Sequence, residues 1–173
     1  MSNAVITKTS LLATRALVFL AEAEQGVVAS PRSIAARLGE SPAYMAKVLR
    51  SLVKAGILRA EHGRKGGVLL NRRSSDVTLL AIVEACQGAI AGSYCQDIDD
   101  LRITCAFHKA AVELRDSVVN ALSRWTLEQL AASPRPTKRL PGDAHCMMVG
   151  FAVSIAPGGA GTRSRSQKRT RRR

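Results

Sequence analysis

Aromatic side chains are nearly missing from this sequence, at 3% of 173 residues, and acidic ones are outnumbered two to one, 13 against 26 Lys and Arg. The first scarcity excludes a core built on large rings and leaves Ala, Leu, Val and Ile, the mix that packs helices well. A mostly α class is expected, with length for one globular domain rather than two. Long apolar runs are missing too. The run over residues 146–157 falls short of the roughly 20 residues that span a bilayer, and Arg15 interrupts the apolar stretch 11–21, so no secretory leader is read there. A cytoplasmic protein with no membrane partner is the expectation. In that reducing compartment the four cysteines, Cys86, Cys95, Cys105 and Cys146, read as packing, metal or redox residues rather than structural disulfides. No phosphate-binding glycine loop, nucleophile with a base at workable spacing, or carboxylate pair is found, so the sequence is not read as an enzyme.

The excess positive charge is unevenly placed. Residues 1–133 hold 16 basic against 12 acidic residues, a net +4, whereas residues 134–173 hold 10 against 1, a net +9. A basic surface favours polyanions, because each neutralised phosphate releases counterions. The tail alone would fit a non-specific nucleic-acid or membrane-surface binder. Its composition, Pro-rich and then Gly, Arg, Lys and Ser, reads as disordered.

The body carries ordered signals. From Thr9, Leu12, Ala16, Leu17, Phe19 and Leu20 follow helical spacing, with Arg15 and Glu22 off the stripe and Gly26 ending it. Ser30-Pro31 is a cap followed by Pro at the first helical position, Ile34, Ala35 and Leu38 make a short apolar face, and Gly39 stops it. Ser41-Pro42 repeats the start signal, and Met45, Val48, Leu49, Leu52 and Val53 hold one face up to Gly56. Two helices joined this tightly form a helix-turn-helix. Residues 57–61 and 68–71 then read as two short strands around the glycine-rich tip His62-Gly63-Arg64-Lys65-Gly66-Gly67, the outline of a wing. Thr78 starts a further helix with Leu79, Ile82, Val83 and Cys86 on one face. After a polar loop, Phe107, Ala111, Leu114, Val118, Ala121 or Leu122 and Trp125 mark a long amphipathic helix, and Thr126 to Gln129 matches a capping box for a short last one.

A helix fits the major groove, and helix-turn-helix proteins place the second helix there. With its apolar face turned inward, this one presents Ser41, Ala43, Tyr44, Lys47, Arg50, Ser51 and Lys54. Its N-terminus can receive a phosphate, so Ser41 and Ala43 suit positioning. Taken alone, Lys47, Arg50 and Lys54 read as the solvated face of a surface helix. Helix, tight turn, helix and basic hairpin in this order turn the balance toward double-stranded DNA, since a tip with Arg64 and Lys65 between glycines can bring its backbone close to phosphates or a minor groove.

The segments Ile34 to Gly39, Ser41 to Met45, Lys47 to Gly56, Gly63 to Gly67, Thr78-Leu79, Glu84 to Gly88 and Trp125 to Leu127 together resemble the Rrf-type family of bacterial winged helix-turn-helix transcription regulators, the IscR, NsrR and CymR group. The resemblance runs over residues 7–132. It implies a winged helix-turn-helix with a two-stranded wing (residues 1–88), a sensor loop (89–104), and a dimerisation helix with a short last helix (105–133), ahead of the basic tail (134–173). It further implies a homodimeric regulator, acting as a repressor on a pseudo-palindromic operator, with DNA contacts at Ser41, Tyr44, Lys47, His62, Gly63, Arg64 and Lys65. Where the best-known iron–sulfur member has a specificity-setting Glu two positions after the Tyr, this sequence has Ala46.

Members that hold a [2Fe–2S] or [4Fe–4S] iron–sulfur cluster take three cysteines from the loop before the long helix, with His or a carboxylate as fourth ligand. By that likeness the metal candidates are Cys95, Cys105 and His108; the middle cysteine is absent, and Asp97, Asp99 or Asp100 is left to complete the set. A thiol switch between Cys95 and Cys105, and a loop that senses nothing, stand beside the cluster as alternatives. His108 by itself reads at least as readily as a surface or helix-start histidine. Cys86, on an apolar face, reads as a small core residue, and no site is assigned to His145 or Cys146.

Overall fold

Thr7, Ser30, Ser41, Thr78 and Thr126 each accept a hydrogen bond from the backbone N–H three residues ahead, and each starts a helix. These oxygens satisfy one of the four donors every helix start leaves free. The computed structural model describes residues 5–23, 27–63, 66–90, 101–134, 136 and 146–148. Its elements are α1 (Lys8–Glu22), α2 (Pro31–Leu38), α3 (Pro42–Lys54), β1 (Leu58–Glu61), β2 (Gly67–Leu70), α4 (Leu79–Gln87), α5 (Ala106–Ser123) and α6 (Leu127–Ala132), with 3-10 turns at Ser74–Asp76 and Leu101–Ile103.

The core is assembled around α1, which packs on α4 and α6 and also meets α2, α3 and β2. Being covered from several sides, α1 buries far more than one stripe: Leu12, Ala13, Thr14, Arg15, Ala16, Leu17 and Val18 are all inside. The sequence pattern set Arg15 off the apolar face, and the structure corrects this, with 8% of the residue exposed. Ile34, Met45, Leu49, Leu52, Ile57, Ile82 and Leu127 complete the interior. Each such side chain contributes about 1.5–3 kcal/mol relative to an exposed one.

The two strands pair antiparallel, Leu58 with Leu70 through Glu61 with Gly67. Ala29, between α1 and α2, adds a bridge on the other edge of β2: its N–H donates to the Val68 carbonyl at 3.0 Å and its carbonyl accepts from the Val68 N–H at 2.9 Å. Gly67 is required here, since a Cβ on it would lie 2.4 Å from the Ala29 oxygen. A second bridge joins Thr78 to Thr126, with Leu79 N–H donating to Trp125 and Leu127 N–H to Val77, both at 2.8 Å. It fixes the starts of α4 and α6 to each other at the far end of α5.

The long helix is shorter than its apolar repeat suggested, because Trp125 lies in the link to α6 rather than in α5. Phe107, Leu114 and Trp125 are 70%, 63% and 52% exposed, while Leu122 is buried. Of the tail read as disordered, Pro134, Pro136 and Cys146 to Met148 are described, and Met148 packs against the core. Among the described residues no helix is long and apolar enough to cross a membrane.

Candidate nucleic-acid interface

Gly39, in the left-handed region at φ 69°, ends α2, and Ser41 caps α3 two residues later. The apolar spacing of α3 then buries Met45, Val48, Leu49 and Leu52 and leaves the opposite side outward. Ser41, Ala43, Lys47, Arg50 and Lys54 are exposed there, as the sequence pattern expected, while Ser51 is half-buried. Among the described residues none of Lys47, Arg50 and Lys54 is paired with a carboxylate. Glu40, just before α3, and Glu61, in β1, have other cations beside them. Glu40 lies 3.9 Å from Lys8, and Glu61 lies 3.2 Å from Arg59.

Tyr44 differs from its expected place on the free face. Its ring is half-buried against the core and its hydroxyl lies 2.9 Å from that of Thr9 in α1. Helical spacing on α3 could not reveal this, because the partner comes from another helix.

At the wing, His62 and Gly63 are exposed, and Gly63 has φ 115°, a conformation that costs other residues strain. Its carbonyl accepts from the Gly66 N–H at 2.9 Å, closing the tip. Arg64 and Lys65 lie outside the described residues. Gly66 and Gly67 face Glu61, Gly63 and Ala29 of the chain itself, so their lack of a side chain serves the wing's own packing. The sequence pattern alone explains that smallness by contact with DNA.

Cys105 caps α5, its thiol exposed and its sulfur accepting from the His108 N–H at 3.4 Å. His108 is 5% exposed, which excludes the surface reading while keeping the helix-start one, and among the described residues its Nδ1 is buried without a hydrogen-bond partner. A thiol and an imidazole with an unsatisfied nitrogen on one helical turn are donors that suit iron. They form half a ligand set: among the described residues no three His, Cys, Asp or Glu side chains gather to hold a metal, and Cys95, Asp97, Asp99 and Asp100 lie outside those residues. Cys86 packs against the core, and burial pushes its thiol up to about 11.

Comparison with known proteins agrees with this geometry. The model of the Rrf2 family, described as iron-dependent transcriptional regulators, matches residues 6–133. A Lactococcus lactis protein named as a helix-turn-helix transcriptional regulator, YffB, is 28% identical over 123 residues, 66% of this chain and 79% of its own. The structure of CymR (YrzC), the global cysteine regulator of B. subtilis, superposes with a TM-score of 0.59 at 26% identity, covering 73% of this chain and 95% of CymR. IscR of T. potens shares the fold, with a TM-score of 0.60 at 22% identity over 79% of this chain and 93% of its own.

Proposed function

Because the chain belongs to the Rrf2 family of DNA-binding transcriptional regulators, we propose that it is a homodimeric repressor of a pseudo-palindromic operator, responsive to iron or to cysteine oxidation. The observation that carries the DNA reading is the row Lys47, Arg50 and Lys54, exposed and, among the described residues, free of carboxylate partners on the second helix of a helix-turn-helix. Ser41 and Ala43 at the start of α3 position a phosphate, Tyr44 and Lys47 lie against the groove and the phosphates at its edge, and His62 to Lys65 follow the backbone alongside. A second copy covers the exposed Phe107 and Leu114 of α5, and two-fold symmetry then sets the operator's own symmetry.

For the signal, Cys105 and His108 are the described residues that would hold iron, with Cys95 as third donor. A bound [2Fe–2S] or [4Fe–4S] cluster supplies a charge and redox state that changes with oxidant. The competing reading uses the exposed Cys105 thiol directly, with Cys95 as its disulfide partner.

Truncation after Ser133 tests the DNA assignment. Sequence-selective duplex binding must survive it; loss of all affinity moves the activity to the basic tail and a non-specific role. An ultraviolet–visible spectrum of protein purified without oxygen, with iron and sulfide counted per chain, separates the two signals. A colourless, iron-free protein after anaerobic reconstitution removes the cluster, and alkylation of Cys95 and Cys105 before and after peroxide then tests the thiol switch.

A further inference from the structure

Thr9 and Tyr44 are 35 residues apart in the chain, yet their hydroxyl oxygens lie 2.9 Å apart. Thr9 belongs to the first turn of α1 and Tyr44 to the first turn of α3, where Ser41 accepts the Tyr44 N–H. The approach of Lys8 to Glu40 joins the same two helix starts. Two N-termini, each the positive end of a helix dipole with donors left over, therefore adjoin beside the exposed Lys47.

The hydroxyl pair has two possible directions. If Tyr44 donates to Thr9, the phenol spends its single hydrogen; if Thr9 donates to Tyr44, that hydrogen is left for a third group. Phosphate oxygens only accept, so a phosphate beside Tyr44 selects the second direction, and a phenol that is itself accepting becomes a better donor. Thr9 is able to supply its hydrogen, since among the described residues its hydroxyl has no other partner. The half-buried ring limits where the phenol oxygen can go, so the Thr9 contact sets its aim.

We propose that Thr9 is a positioning residue for DNA binding: its hydroxyl donates to the Tyr44 phenol and directs that phenol's hydrogen onto a phosphate of the bound duplex. The inference rests on the reading above that places Tyr44 against DNA. It makes the first turn of α1 part of the interface without requiring Thr9 to touch DNA.

The test uses the full chain and a duplex that the wild-type chain selects from a random pool. Tyr44→Phe is expected to weaken binding about 10-fold, as for a lost hydrogen bond to a charged acceptor. Thr9→Val is expected to weaken it about 5-fold, the double variant to bind no more weakly than Tyr44→Phe, and Thr9→Ser to bind as wild type. The dependence of affinity on salt keeps its slope throughout, because no cation is removed. Thermal unfolding of each free variant shows whether the fold persists, and Thr9→Ser keeps the test open if Thr9→Val does not fold. Unchanged binding by Tyr44→Phe refutes the placement of Tyr44 on DNA, and this inference with it. A loss with Tyr44→Phe but none with Thr9→Val, losses that add in the double variant, or failure of Thr9→Ser to bind as wild type overturns the role of Thr9 alone.

Discussion

Replacing Gly67 by Ala puts one methyl group where the backbone of Ala29 already lies. The added Cβ would be 2.4 Å from the Ala29 carbonyl oxygen and 2.7 Å from its carbonyl carbon, neither of which can rotate aside as a side chain can. The segment before α2 must then lift off the wing, and both hydrogen bonds between Ala29 and Val68, at 3.0 and 2.9 Å, are lost. At about 1 kcal/mol each they amount to about 2 kcal/mol. Ala restricts the unfolded chain more than Gly and returns about 0.4–1 kcal/mol. A net loss of about 1–2 kcal/mol remains, which lowers the urea midpoint by about 0.5–1 M for a dependence of about 2 kcal/mol per molar. Urea unfolding gives the midpoint, and amide hydrogen exchange shows the cause, since the Ala29 and Val68 amides alone lose protection at the bridge. A variant with the wild-type midpoint and both amides still protected refutes the steric argument.

Phe107→Glu and Leu114→Glu are each expected to convert a dimer to monomer in sedimentation while changing the thermal midpoint of the monomer fold little, because both side chains are already more than half exposed in the single chain; a dimer that persists with both changes removes α5 from the interface. Lys47→Ala should lower the slope of log affinity against log salt by about 1, and an unchanged slope means that Lys47 touches no phosphate. In the folded protein at pH 8, an alkylating reagent should take the exposed Cys105 and spare Cys86. Burial raises the Cys86 thiol from 9.0 to about 11, so the folded state keeps a proton that the unfolded chain releases. Its contribution is complete below about pH 9 and declines as pH rises toward about 11, and stability against pH in that window should be flatter for Cys86→Ala.

Elements whose signals lie within a few residues were readable from sequence. Ser30-Pro31 and Ser41-Pro42 start α2 and α3 where expected, Thr126 with Gln129 forms the capping box, and Met45, Val48, Leu49 and Leu52 are the buried face of α3. Capping and helical periodicity are local, so they survive whatever the rest of the chain does. Arg15 was misplaced because its position on a helical wheel says nothing of how many sides of α1 are covered. The exposed cations of α3 followed directly once its buried face was known.

The features that escaped are those that join distant parts of the chain: Thr9 with Tyr44, Ala29 with Val68, and Thr78 with Thr126. Each involves residues whose type already had a sufficient local explanation. Thr78 and Thr126 are explained as caps, Tyr44 as an outward residue, and Gly67 as part of a tip small enough to approach DNA. Their second roles depend on α1 lying among α4, α6 and α3, which no window of sequence contains. The same pairs join the elements of the helix-turn-helix to the rest of the fold. One ties α3 to α1, one ties the wing to the segment before α2, and one ties α4 to α6 at the end of α5. α5 packs on α4, and α4 and α1 both pack against α3, so the contacts that lead from α5 to α3 run through α4 and α1, while β2 is held to the segment before α2 by its own bridge at Ala29.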